Sequence, residues 1–84
     1  MKAQIDVRGI SRSLGVAYGF VYVDDTRVMF TTLTDAREPA GAVIRVEPAR
    51  GWDAPRPAQA KRAAETIKDW LTSVRFPVSR VVFG

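Results

Sequence analysis

One stretch decides what this chain can fold into. At roughly 100° per residue, Ala60, Ala63, Ala64, Ile67, Trp70, Leu71 and Val74 fall on a single arc between Pro57 and Val74. Lys61, Arg62, Glu65, Thr66, Lys68, Asp69, Thr72 and Ser73 fill the rest of the circle. The spacing predicts an amphipathic helix over 57–74, the one helix of useful length. Pro57 suits the first turn, where a missing N–H costs nothing, and Pro77 cannot continue the helix. An apolar stripe must be buried against something, and the remaining chain reads as strand or turn. A sheet with this helix across one face is the expected solution.

The strands follow from alternation. Residues 2–8 set Ala3, Ile5 and Val7 against Lys2, Gln4, Asp6 and Arg8, the pattern of a half-buried strand. GISRSLG is expected to loop, with Ile10 and Leu14 tucked beneath it. Residues 16–23, VAYGFVYV, are apolar on both sides, which predicts a central strand. Its Ala17 and Gly19 side leaves room for the bulky Trp70. That choice sends Tyr18, Phe20 and Tyr22 to the uncovered face, whereas a register slip of one residue would bury them instead. Asp24-Asp25-Thr26 reads as a hairpin turn, 27–33 as a strand with Val28 and Phe30 inward, 34–41 as a loop, and 42–47 as a fourth strand. In the connection that follows, Asp53 is a candidate cap, and Trp52 either closes the core edge or is exposed. Residues 78–83 form the last strand. The expected fold class is α+β: one domain over 1–84, an antiparallel sheet of four to five strands with one helix packed on one face, in the order β-β-β-β-α-β.

Composition narrows the chemistry. The chain has no histidine and no cysteine, so the commonest general base, the commonest metal ligand and the thiol nucleophile are all missing. Asp24 and Asp25 are adjacent turn residues that point apart, and no phosphate-binding glycine loop occurs. The expectation is a non-enzymatic protein without cofactor or metal. The start MKAQIDVRG has no apolar signal core, and no run approaches the roughly 18 apolar residues of a membrane span. This predicts a cytoplasmic protein without a membrane partner.

The net charge of +4 lies wholly in residues 43–84, and ten of the thirteen cations are arginine, the better bidentate partner for phosphate or carboxylate. On the helix, Lys61, Arg62, Glu65, Lys68 and Asp69 balance one another, so its outer face reads as solvated surface. The uncovered sheet face is different. It is expected to gather Arg8, Tyr18, Phe20, Tyr22, Arg27, Met29, Arg45 and Arg80 as a partner-binding surface. Tyr and Arg dominate binding energy at interfaces, and both also stack on or neutralise single-stranded nucleic acid.

Two resemblances bear on the partner. Tyr18-Gly19-Phe20-Val21, followed by Val28-Met29-Phe30 and by GAVIRVEPARG at 41–51, resembles the RNA-binding ribbon of cold-shock domains. That resemblance implies Tyr18, Phe20 and Phe30 as base-stacking residues and RNA or single-stranded DNA as partner, although a long helix stands where that family has its closing strand. The whole layout, a small sheet with one helix of the PAQAKRAAETIKDWL kind and a closing strand, looks like phage-borne anti-CRISPR inhibitors. This second resemblance implies a protein of the bacterial host's cytoplasm that docks on a CRISPR effector nucleoprotein complex and blocks target DNA binding. The sequence leaves the oligomeric state open.

Overall fold

A computed structural model describes the backbone of residues 1–84 and every side chain except those of Asp35 and Arg37. Five strands, β1 (Ala3–Ser11), β2 (Val16–Val23), β3 (Thr26–Glu38), β4 (Gly41–Pro48) and β5 (Val78–Phe83), form one sheet in chain order. A single helix, α1 (Pro57–Ser73), lies between β4 and β5 in sequence. The first four strands are an antiparallel meander. β5 instead runs parallel to β4, because α1 carries the chain back across the sheet before the last strand begins.

The helix stripe and the alternating strand residues meet as expected. Ala17, Val21, Val23, Val28, Phe30, Ile44 and Val46 face Ala63, Ile67 and Leu71 in one core, each at most 1% exposed. Trp70 and Val74 flank that core half-buried, and Trp70 borders a shallow hollow beside Ala3 and Ile5 of β1. Gly19 lies on the helix side, but its small size serves another purpose than making room for Trp70. A Cβ there would collide with the β1 backbone at Asp6, Val7 and Arg8, where β1 bulges.

Both helix ends have a local cause. At the start, the Arg56 N–H donates to Gln59 Oε1 at 3.0 Å, and Gln59 Nε2 donates to Asp25 Oδ1 at 3.2 Å. Gln59 is thereby buried with its amide satisfied and joins the helix to the β2–β3 turn. Asp53 is not the cap; its carbonyl accepts from Thr26 Oγ1. At the far end Arg75 turns left-handed at φ 61°, and the Phe76 N–H returns to the Leu71 carbonyl at 2.8 Å. Phe76 is buried against the core, which completes a Schellman stop.

Three expectations need correction. β1 runs on to Ser11 and pairs with Val16, so residues 12–15 form a tight turn too short to fold over the sheet. Leu14, in that turn, and Ile10, in the last part of β1, are exposed, at 73% and 42%, rather than tucked beneath it. The predicted loop 34–41 is mostly strand. β3 continues to Glu38 through a wide bulge between Leu33 and Glu38. Its polar composition does not prevent pairing, because the Glu38 carboxylate is satisfied by Ser79 and Arg80 of β5.

Candidate docking face

The sheet side away from α1 is built in rows that cross the strands. One row reads Gly9, Tyr18, Thr31, Arg45 and Val82; the next reads Asp6, Phe20, Met29 and Glu47; a third reads Gln4, Tyr22 and Arg27. Every residue expected on the open face lies on it: Arg8, Tyr18, Phe20, Tyr22, Arg27, Met29, Arg45 and Arg80. The helix-side and open-side residues of β2 alternate without a slip, so the aromatic residues are not core.

Tyr18 is the most exposed of the three rings, at 49%. It lies across Gly9, where a Cβ would fall inside the ring's own contact distance. A glycine in one strand covered by an aromatic side chain of its neighbour keeps that ring flat on the sheet. Beside it Tyr18, Gly19, Phe20, Met29, Phe30 and Thr31 line a shallow apolar groove of about 260 Å³. Phe20 is the hub of the cations. The Arg27 guanidinium carbon lies 3.7 Å from its ring centroid and that of Arg8 lies 5.7 Å away, while Arg27 is also 5.5 Å from Tyr22. Arg27 Nε is buried without a hydrogen-bond partner among the described residues, and the ring faces of Phe20 and Tyr22 supply favourable contacts to this cation.

The other arginines are arranged differently. Arg8 Nε is 2.9 Å from Asp6 Oδ2, and Arg80 Nε is 2.8 Å from Glu38 Oε1. Hydrogen bonds from Ser79 and then Arg80 hold the Glu38 carboxyl below its usual range. Arg45 stands exposed. Two of the four guanidinium groups are thus neutralised in place. Asp6, Glu38 and Gly9 are parts of this face that sequence reasoning missed. Alternation alone could have found Asp6, whereas the reach of Glu38 depends on the β3 bulge.

The adjacent aspartates split as their turn position implied. Asp24 Oδ1 accepts the Lys2 backbone N–H at 3.0 Å, while Asp25 serves Gln59. Phe30, a base-stacking candidate under the cold-shock resemblance, is fully buried on the helix side and is unavailable for that role. Trp52 is exposed at 41%, away from the core. Among the described residues, no helix is long and apolar enough to cross a membrane. No protein family, curated protein or solved structure matches the chain.

Proposed function

We propose that this is a non-enzymatic binding protein that docks through its open sheet face, and that it acts as an inhibitor of the anti-CRISPR type. It would occupy the surface of a CRISPR effector nucleoprotein complex and block target DNA binding. The supporting observation is the face itself: an apolar-aromatic centre of Tyr18, Phe20, Tyr22 and Met29, ringed by arginines and acids. Water-facing sides of antiparallel sheets are ordinarily polar, so a ring-bearing side left uncovered marks a place for a partner. An apolar centre with a mixed-charge rim is the make-up of a protein-docking surface. The choice of complex rests on the architectural resemblance.

A second reading has its own support. Tyr18, Phe20 and Tyr22 sit at alternate residues of one strand, roughly 6.6–6.8 Å apart, a spacing on which successive unstacked bases can rest. Charge weighs against it. A strand-tracking groove draws much of its affinity from unpaired cations, and Arg8 and Arg80 are already engaged.

The test is a mobility-shift assay with a purified effector–guide complex and its target duplex. Addition of the protein is expected to abolish the shifted band, and the Tyr18→Ala/Tyr22→Ala variant to restore it. An unchanged band, with steeply salt-dependent retention of short single strands by the protein alone, would replace this reading by the second.

A further inference from the structure

The sheet has two free edges, and they are built differently. β1 carries the devices that discourage edge pairing: a bulge between Val7 and Gly9, with Asp6 and Arg8 beside it. β5 reads VSRVVF and carries one charge, Arg80, already paired with Glu38. After an irregularity at its start, Arg80 to Phe83 pair flush with Val43 to Val46. The Gly84 N–H donates to the Val46 carbonyl at 3.1 Å. By the alternation of parallel pairing, Val82 then turns its backbone toward β4, while Val81 and Phe83 turn N–H and C=O toward the empty edge. Phe83 is 51% exposed and rims an apolar hollow of about 330 Å³ with Val46, Ala54, Pro55 and Ala60.

From this edge we infer that β5 pairs antiparallel with β5 of a second copy of the chain, about a twofold axis through Val82. Val81 faces Phe83 of the second copy in this register, and the two residues exchange both backbone bonds. The reciprocal pair does the same, so the four outward donors and acceptors nearest the axis are satisfied. The two Phe83 rings become diagonal neighbours on the helix side, close enough to cover each other's exposed faces. The register also avoids charge conflict. Arg80 falls opposite Gly84, which has no side chain, and keeps its own Glu38, while Val82 meets Val82 in the close, non-hydrogen-bonded position. The edge is self-complementary: no like charges meet across the axis, and each copy supplies the Phe83 ring that covers the exposed ring of the other. The two sheets merge into one of ten strands with the two docking faces side by side. The inference uses the edge alone and does not depend on the proposed function.

The absence of native cysteine makes the test clean. Val82→Cys should form a covalent dimer on mild oxidation of the folded protein, because the twofold sets the two new thiols opposite each other. Arg50→Cys, on an exposed loop, should not. Sedimentation equilibrium should give twice the chain mass for the parent. It should give a single chain mass for Val82→Lys and for Val82→Glu, and return the dimer when these two are mixed. A monomeric parent, a cross-linking yield for Val82→Cys no greater than for Arg50→Cys, or a Val82→Lys variant that remains dimeric would each overturn the pairing.

Discussion

The two faces of the sheet share the same strands and backbone but do opposite work. Toward α1, β2 presents Ala17, Gly19, Val21 and Val23, and β3 presents Val28 and Phe30, all buried. Away from α1, the same strands present Tyr18, Phe20 and Tyr22, and Arg27 and Met29, all partly or largely exposed. Both β2 faces are apolar, so hydrophobicity does not distinguish them. Shape does. The covered side is aliphatic and small, and fills the space under a helix without voids. The open side carries flat rings held by cations and by a glycine, which keep a fixed outline in water. Stability is concentrated on the first face, and the proposed recognition falls to the second.

Several substitutions bear on that division, beginning with the largest effect. Phe30→Ala removes a fully buried ring from the covered side and should cost about 3–5 kcal/mol, lowering the melting temperature by more than about 12 °C. A loss under ~1 kcal/mol would mean that this side is not where the fold is held. Trp70→Ala should cost less, about 2 kcal/mol by thermal melting, because the ring is only half-buried beside β1. Gly9→Ala should displace the Tyr18 ring, weaken partner binding at least tenfold by titration, and cost about 1 kcal/mol or less. Equal binding by that variant would detach the ring's position from recognition. Arg75→Gly relieves a left-handed residue at the helix stop and should raise stability by about 0.5–1 kcal/mol.

The smallest effect is a pH dependence. Bonds from Ser79 and Arg80 favour the ionised Glu38 carboxylate, so its native pKa lies below the ordinary 4.5. Its stabilisation is whole above that ordinary value and is lost as pH falls through the lowered native one. Titration of the Glu38 side-chain carboxyl carbon by NMR should place its midpoint below 4.5. A midpoint at or above that value would contradict the tie between β3 and β5.

Much of this was legible in the chain because periodicity survives folding. The stripe Ala63, Ile67 and Leu71 reads as helix at any inspection, and strict alternation in VAYGFVYV assigns each residue to a side. The choice between the two sides rested on the small Ala17 and Gly19, and the side came out as expected although Gly19 is small for a different reason. What escaped was non-local. Nothing near Glu38 in sequence announces a bond to Ser79, 41 positions away, so a polar stretch read as loop is strand. Leu14 is apolar, yet the turn holding it is too short to reach the core, and Ile10 ends up in the last part of β1, opposite Ala17, where it stays largely exposed. Gln59 looks like helix surface and is buried, because its partner Asp25 lies 34 residues earlier. The candidate face was readable as a set of residues, but its internal pairing of Arg8 with Asp6 and Arg80 with Glu38 was not.

The division of labour between the faces is tested most directly by equilibrium unfolding of the Tyr18→Ala/Tyr22→Ala variant. Both rings stand on the open side and contribute only cross-strand pairs, so the variant should stay folded with a loss of about 1–2 kcal/mol. Global unfolding, or a loss as large as that of Phe30→Ala, would mean that these rings hold the fold together and that the open side is not free to bind.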